Sequence, residues 1–201
     1  VITGPGGYGY QPLLEAIGKT YEVPSNSIVT SFGTSMANYV AMAALIEPGD
    51  EVLIEHPAYE LILSTAEYLG AIVHRFHRRL ENSFQIDTDE LRRSLTSKTK
   101  LIVLTNLHNP SSAFTDENTL QAIGKIAATV GARVLVDEVY LDAAFSKNPR
   151  TAFRLGEQFV ITNSLTKVCG LSGLRCGWIF AEPVLAQRMW RLIDLFYGSS
   201  V

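Results

Sequence analysis

The chain has 201 residues, 47% hydrophobic and 18% charged, a composition typical of a globular domain with a sizeable core. Its net charge of −3 argues against nucleic acid or an anionic membrane as the main partner, because both select basic surfaces. No apolar run approaches a membrane span, and residues 1–9 lack the features of a signal peptide. The two cysteines, Cys169 and Cys176, are too few for a disulfide framework, so we expect free thiols and a cytoplasmic location.

Strand-like and helix-like segments alternate along the chain, after a first helix that begins near Gln11. The predicted strands are 28–32, 51–55, 71–76, 101–105, 133–136, 159–162 and 174–180. The predicted helices are 34–46, 59–69, 88–95, 116–130 and 184–197. Such alternation indicates an α/β fold of three layers, αβα, with a mainly parallel sheet in one domain. Because a loop alone joins the last two strands, one strand is predicted to be antiparallel and the sheet mixed.

Two patterns that resemble nucleotide-binding loops do not fit their surroundings. Gly4 to Gly9 matches G-x-G-x-x-G, but almost no chain precedes it to form the required strand. The sequence Gly18-Lys19-Thr20 matches the end of a phosphate loop, but Leu13 stands where its first glycine is needed. This GKT also lies late in a predicted helix, so neither pattern predicts a nucleotide site.

Four polar clusters each follow a predicted strand, and ligands in open α/β sheets bind beyond the carboxyl ends of the strands. The first cluster is Gly33, Thr34 and Ser35, where a strand meets a helix. The unpaired N–H groups and positive dipole end of a helix suit a phosphate. The alternative is an ordinary helix N-cap by Thr34 or Ser35.

The second cluster is the loop 106–112, which follows the apolar strand 101–105. The side-chain amide of Asn109 could donate a hydrogen bond to a ligand oxygen, and Pro110 keeps Asn109 out of the helical conformation. An ordinary Asn-Pro turn is the alternative. His108 in the same loop is expected to be solvated.

The third cluster is Asp137 and Tyr140, after the strand 133–136. A carboxylate at the end of a buried strand is costly unless a cation lies near it. A protonated ring nitrogen of a ligand would be such a cation, and Tyr140 is close enough along the chain to reach the same ligand. The alternative is that Asp137 pairs with a structural arginine.

The fourth cluster is the segment 164–178, which contains Lys167 in a loop rich in glycine and serine. Most single lysines are exposed and solvated. The apolar strands on both sides of this loop nevertheless predict that Lys167 is partly shielded from water. This placement indicates that Lys167 is not an ordinary solvated lysine.

The fourth cluster reads S-x-[ST]-K followed by G-L-x-G-x-R-x-G-W, and it resembles the cofactor-lysine segment of the class I/II aminotransferases, which are fold-type-I pyridoxal-phosphate-dependent enzymes. The Gly-Thr helix start, N-P-S and D-E-V-Y occur in that family's order, so the resemblance covers about residues 9–197. It implies an aminotransferase that acts on an amino acid and a 2-oxo acid, with pyridoxal 5'-phosphate as cofactor, no metal, and a homodimeric assembly.

The resemblance also implies a role for each matching residue. Lys167 would form the Schiff base with the cofactor, and Asp137 would pair with the pyridine nitrogen. The residues implied to contact the phenolic oxygen or to stack on the ring are Asn109, Tyr140 and Tyr59. Those implied to hold the phosphate are Gly33, Thr34, Ser35, Ser164 and Arg175.

The chain departs from the family pattern in three places. Ser112 replaces the glycine of N-P-[ST]-G, which strains the backbone if the position needs a positive φ. Gly4 stands where family members commonly have a tyrosine. The family also continues into a small C-terminal domain with a carboxylate-binding arginine. We therefore expect residues 1–201 to be the cofactor-binding large domain, without the N-terminal segment and the C-terminal domain.

Two further hypotheses stay open for the function. A C–S lyase or a decarboxylase of the same fold would use the same cofactor site, since the reaction depends on which bond to the α-carbon lies perpendicular to the ring. A truncated, non-catalytic domain that only binds the cofactor is the other hypothesis. The missing arginine motivates it.

Overall fold

The computed structural model describes residues 8–196, so Gly4 and the end of the last predicted helix at position 197 lie outside the described residues. The strands are β1 (Ile28–Phe32), β2 (Glu51–His56), β3 (Ile72–His77), β4 (Thr99–Thr105), β5 (Arg133–Asp137), β6 (Phe159–Ser164) and β7 (Cys176–Phe180). The helices are α1 (Gln11–Tyr21), α2 (Gly33–Leu45), α3 (Glu60–Tyr68), α4 (Thr88–Ser94), α5 (Glu117–Ala128) and α6 (Pro183–Phe196). Every predicted strand and helix is present, with ends that differ by at most a few residues.

The seven strands form one sheet in the order β1-β7-β6-β5-β4-β2-β3. Strand β7 is antiparallel to both of its neighbours, β1 and β6, and all other pairs are parallel. The prediction of a mixed sheet with one antiparallel strand is confirmed. The physical reason is the short connection from β6 to β7, which cannot make the crossover that a parallel pair needs.

Helices cover both faces of the sheet, so the predicted three-layer fold is confirmed. One face packs against α2, α3 and α6 through residues such as Val40, Ile62 and Met189. The other packs against α1, α4 and α5, as at Leu91 and Ile123. The central strands are apolar at consecutive positions because they are buried on both faces.

Local chemistry explains where several elements begin. Asp87 accepts hydrogen bonds from two first-turn N–H groups of α4, and Asp116 accepts one from the Thr119 N–H of α5, so both helices begin at a side-chain N-cap. Strand β7 starts later than predicted because residues 172–174 form a 3₁₀ turn that ends at Arg175, with φ +49°. The GKT sequence lies in the last turns of α1, away from any strand-to-helix junction.

The carboxyl ends of β1, β4, β5 and β6 meet at one edge of the sheet, together with the start of β7. This edge therefore carries all four polar clusters.

Both cysteines are free thiols, and Cys169 is exposed rather than packed. Within residues 8–196 no helix has both the length and the apolarity to cross a bilayer.

Candidate functional site

The start of α2 has no side-chain cap. Gly33 begins the helix with a φ of +76°, and no side chain caps the first turn. The alternative of an N-cap by Thr34 or Ser35 is therefore wrong. Instead, the Thr34 hydroxyl donates to the Ser164 hydroxyl oxygen at 2.7 Å, which joins the helix start to the end of β6. The first-turn N–H groups remain available for an anion.

Arg175 brings a positive charge to the same place. Its guanidinium lies against Gly33, where a β-carbon would be only 2.6 Å from Arg175 Nη2. Arg175 Nη2 also donates to the Phe32 carbonyl at 3.3 Å. Gly177 lets strand β7 pass close to the start of α2, since a β-carbon at Gly177 would lie 2.6 Å from the Gly33 carbonyl carbon. The structure thus brings together the residues predicted to hold a phosphate.

Asp137 is the last residue of β5 and is only 5% exposed. Its Oδ2 accepts from Asn38 Nδ2 at 2.8 Å, and its Oδ1 accepts from the Val139 N–H at 3.0 Å. Among the described residues no arginine or lysine forms an ion pair with it, so the alternative of a structural arginine is wrong. Within residues 8–196 this buried carboxylate therefore has no direct cationic partner.

Burial raises the pKa of the Asp137 carboxyl to about 6. The hydrogen bonds from Asn38 and Val139 and the positive charge of Lys167 act in the opposite direction. A cation bound at the edge of the sheet would add to those effects and favour the ionised carboxylate. The site is therefore suited to a ligand that carries a protonated nitrogen.

Lys167 lies in the loop from β6 to β7, and it is exposed, as are residues 167–175 as a group. The expectation that it is partly shielded is wrong for the described residues. The loop is held by backbone bonds at its base, from Leu165 to Cys176 and from Leu171 to Leu165, each 3.0 Å. The rest projects beyond the sheet, where no described element covers it. The amine is thus accessible and electrostatically coupled to Asp137.

The loop after β4 is tied down at both ends. Asn106 exchanges two hydrogen bonds with the backbone of Thr115, each 3.0 Å. The Asn109 N–H donates to Thr105 Oγ1 at 2.8 Å. The Asn109 side chain is half-buried and makes no hydrogen bond to any residue in the range 8–196. Its amide is therefore available to a ligand, and its predicted contact with one stays a prediction.

His108 is buried at 1% exposure, so the expectation that it is solvated is wrong. Its Nε2 lies 2.9 Å from the Pro57 carbonyl oxygen, and its Nδ1 lies 2.6 Å from Ser111 Oγ. Burial lowers the pKa of His108 to about 4, so the ring is neutral at pH 7. A neutral ring with hydrogen on Nε2 donates to Pro57 and accepts from Ser111. It connects the Asn109 loop to the segment before α3.

Tyr59 and Tyr140, the two aromatic residues predicted to contact the ring of a cofactor, lie at this edge of the sheet. Tyr59 is the residue before α3 and is 42% exposed. Tyr140 is half-buried and lies between β5 and the 3₁₀ helix Leu141–Lys147. Neither ring is held in a side-chain hydrogen bond to another residue in the described part of the chain.

Sequence reasoning missed a buried network behind this loop. The Arg78 guanidinium donates to Glu55 Oε2 at 2.8 Å, and both side chains are almost fully buried. Glu55 Oε1 accepts from the backbone and the hydroxyl of Thr105, each at 2.7 Å. Thr105 in turn holds Asn109. Two charged residues in or beside strands were the available signal, because such charges are buried only when paired.

A second missed feature is the pair of side chains that holds Asp137. Thr162 Oγ1 donates to Asn38 Oδ1 at 2.6 Å, and Asn38 holds the carboxylate. An asparagine in a helix otherwise rich in alanine and methionine was the available signal.

Ser112, which stands where the family has a glycine, has a φ of +61°. The backbone strain expected for a serine at a position with positive φ is therefore present.

Pyridoxal 5'-phosphate needs an anion site, a partner for its ring nitrogen and an amine for its aldehyde. The anion site at Gly33 and Arg175, the buried carboxylate of Asp137 and the accessible amine of Lys167 supply all three. The hydroxyl of Thr166 is also buried without a partner among the described residues. The residues present therefore fit this cofactor.

The sequence profile described as "Aminotransferase class I and II" matches residues 5–201. The fold is the large-domain fold of the pyridoxal-phosphate-dependent aminotransferases, and the chain belongs to the class I and II aminotransferase family. Members of this family use pyridoxal phosphate.

Several curated proteins are similar to the chain. The histidinol-phosphate aminotransferase of Methanocella arvoryzae is 31% identical over 176 residues, which are 85% of this chain and 47% of that protein. The capreomycidine synthase of Streptomyces vinaceus is 34% identical over 172 residues, which are 85% of this chain and 44% of that protein. The chain thus spans about half the length of the curated relatives it matches.

Solved structures give the same result. A pyridoxal-phosphate-dependent aminotransferase from Streptococcus suis 89-1591 superposes with a TM-score of 0.85 at 28% identity, covering 94% of this chain and 50% of that chain. The aspartate aminotransferase of Thermus thermophilus with maleate has a TM-score of 0.90 at 22% identity, covering 95% of this chain and 52% of that chain. The second likeness shows the fold alone.

Proposed function

We propose that residues 1–201 form the cofactor-binding large domain of a pyridoxal-phosphate-dependent aminotransferase that acts on an amino acid and a 2-oxo acid, with Lys167 as the Schiff-base lysine. One observation carries the proposal. The anion site at Gly33 and Arg175, the buried carboxylate of Asp137 and the amine of Lys167 converge at one edge of the sheet.

When bound, the cofactor supplies an electron sink for the pair left on the amino-acid α-carbon after a bond breaks. Asp137 would favour the protonated ring nitrogen that this sink requires, since an ionised carboxylate favours the protonated form of a nearby base. The hydrogen bonds from Asn38 and Val139 keep that carboxylate in one orientation.

The start of α2 would hold the phosphate group. The first-turn N–H groups would donate to it, Arg175 would neutralise its charge, and the linked hydroxyls of Thr34 and Ser164 would orient it. The Asn109 amide and the Tyr140 hydroxyl would donate to the phenolic oxygen, and Tyr59 would pack on the ring.

Lys167 has two roles. Its amine would hold the cofactor by condensing with the aldehyde, with loss of water, and as a free amine it would accept the proton from the substrate α-carbon as a general base. The exposed position of Lys167 leaves room for a substrate to approach.

Product analysis tests the proposed reaction. The purified chain is incubated with pyridoxal phosphate, a panel of amino acids and one 2-oxo acid. A new amino acid derived from the 2-oxo acid, absent with Lys167→Ala, is the expected result. Release of carbon dioxide or of a thiol without a new amino acid would favour the decarboxylase or the C–S lyase. Cofactor binding without any turnover would favour the non-catalytic domain.

A homodimer is part of the proposal. Large apolar side chains are exposed beside the anion site, with Phe32 at 52%, Leu171 at 45% and Leu174 at 65%. Apolar surface concentrated at one place is typical of an interaction face. Sedimentation velocity tests this assembly, and a mass equal to one chain at all concentrations would contradict it.

A further inference from the structure

We infer that Asn38 is a positioning residue for the ring-binding carboxylate, and that its amide, oriented by Thr162, holds Asp137 in one orientation and in its ionised form. The inference deepens the proposed function and rests on it for the role of the cofactor. Asn38 acts through Asp137 and touches no reacting atom itself.

The hydrogen bonds around Asn38 admit only one orientation of its amide. The Thr162 hydroxyl lies 2.6 Å from Asn38 Oδ1, and Asp137 Oδ2 lies 2.8 Å from Asn38 Nδ2. A flipped amide would place its carbonyl oxygen against a carboxylate oxygen, where neither group can donate. Thr162 and Asp137 therefore fix the amide from its two sides, and the amide in turn fixes the plane of the carboxylate.

Asn38, Thr162 and Asp137 are polar groups buried in the core, where they cost stability, so their presence indicates a purpose such as holding the carboxylate. Thr162 is fully buried, and Asn38 and Asp137 are each 5% exposed. Asn38 is the single polar side chain among the buried residues of α2, and the rest are glycine, alanine, valine and methionine. An amide in such a place costs stability unless all its groups are paired. Asn38 is paired only to Thr162 and Asp137 within the described part of the chain.

The position of Asn38 along α2 connects the two halves of the site. Asn38 lies one helical turn after Thr34, whose hydroxyl belongs to the anion site. One rigid helix thus sets the distance between the phosphate-binding groups and the carboxylate. A cofactor with a phosphate at one end and a ring nitrogen at the other requires that distance to be constant.

Two charged groups in the described part of the chain act on Asp137. They are Lys167, on the loop after β6, and Glu138, the next residue along the chain. Neither donates a hydrogen bond to the Asp137 carboxylate, and both donors come from neutral groups, the Asn38 amide and the Val139 N–H. Loss of the Asn38 donor should therefore shift the ionisation of Asp137 to higher pH.

The test compares four variants in cofactor-free protein. Asn38→Asp replaces the donor with an acceptor of the same shape, Asn38→Leu removes it, and Thr162→Val removes the group that orients it. Met42→Leu, a buried substitution in the same helix, is the control for packing. Circular dichroism first establishes that each variant is folded.

The readout is the ionisation of Asp137, followed by NMR of carboxyl-labelled aspartate and assigned with Asp137→Asn. Asn38→Asp should raise the midpoint by about one pH unit or more, and Asn38→Leu should raise it by a similar amount. Thr162→Val should raise it less. If Asn38→Asp does not fold, Asn38→Leu and Thr162→Val give the same comparison. Midpoints that equal the Met42→Leu control in all folded variants would overturn the inference.

Binding of pyridoxal phosphate is the second readout. Asn38→Asp should weaken it about tenfold or more at neutral pH, as expected for the loss of one charge-assisted contact. If the unmodified chain does not bind the cofactor, the proposed function fails, while the titration still decides whether Asn38 controls Asp137. If the chain binds the cofactor and neither readout changes, the inference alone fails.

Discussion

The Arg175 guanidinium lies directly against Gly33, so that a β-carbon at Gly33 would approach Arg175 Nη2 to 2.6 Å. Gly33 also has a φ of +76°, which an L-residue with a β-carbon rarely adopts. The absence of a side chain at this position is thus a condition for bringing a cation to the open end of α2.

Gly33→Ala should displace Arg175 and weaken phosphate binding. We expect a loss of about 1–2 kcal/mol of stability from the positive φ, and roughly a tenfold weaker affinity for pyridoxal phosphate from the displaced guanidinium. Spectroscopic titration with the cofactor and urea denaturation measure the two effects. Gly173→Ala is the matched control, since its β-carbon meets no atom within 4 Å. Equal affinities for the two variants would contradict the assigned role of Gly33.

Ser112→Gly should stabilise the protein. Ser112 has a φ of +61°, and its left-handed backbone costs more for serine than for glycine. We expect a gain of about 0.5–1 kcal/mol in the free energy of unfolding. Ser111→Gly, one residue earlier, should instead destabilise, because Ser111 Oγ is bonded to His108 and Ala113. A loss of stability in Ser112→Gly would contradict this prediction, because it would mean that the serine side chain stabilises the folded state by more than its left-handed backbone costs.

Arg78→Met should be strongly destabilising. It leaves the buried carboxylate of Glu55 without its cation, and breaking a buried ion pair from one side costs about 3–5 kcal/mol. The neighbouring Arg79 is the control, because its pair with Glu90 spans 3.6 Å with Arg79 58% exposed. Arg79→Ala should change stability by less than about 1 kcal/mol. Chemical denaturation measures the free energy of unfolding of both variants. Similar losses of stability would contradict the stabilising role of the buried network behind the Asn109 loop.

Glu138→Gln should change how stability depends on pH. Burial raises the pKa of the Glu138 carboxyl from 4.5 to about 8, although its Oε1 accepts a hydrogen bond from the Ala152 N–H. A raised carboxyl pKa means that the folded state binds the proton more tightly than the unfolded state. Its contribution is therefore complete below pH 4.5 and is lost as the pH rises toward 8.

The measurement is the free energy of unfolding from pH 4.5 to 8, compared between the unmodified chain and Glu138→Gln. The unmodified chain should lose about 1–3 kcal/mol relative to the variant across this range, the cost of an unpaired buried polar group. Asp137 and Glu55 are common to both proteins, so the difference reports Glu138 together with its electrostatic coupling to Asp137. The control is Glu81→Gln, at an exposed position, which should not change how the free energy of unfolding depends on pH. If the pH dependence of Glu138→Gln equals that of the unmodified chain, the role given to Glu138 is contradicted.

The order and type of the elements could be predicted because strand and helix patterns alternate with clear ends, as at Pro48-Gly49 and Asp116. The polar clusters could be predicted because each follows a buried strand. Partners distant along the chain could not be predicted, since no local pattern joins Asn38 to Asp137 or Glu55 to Arg78. Those contacts depend on sheet order and side-chain geometry.

The exposure of individual loop residues could not be predicted from the sequence either. Lys167 and His108 both lie in loops after buried strands, yet the first is exposed and the second buried. The difference comes from neighbours, since His108 reaches the Pro57 carbonyl across the site and Lys167 has no described element above it.

The central claim is that Lys167 holds the cofactor. The chain is incubated with pyridoxal phosphate, reduced with borohydride and digested, and the peptides are analysed by mass spectrometry. We expect one stoichiometric adduct, on Lys167, that is lost in Lys167→Ala and unaffected by Lys147→Ala. An adduct spread over several surface lysines, or one that persists at full yield in Lys167→Ala, would contradict the account.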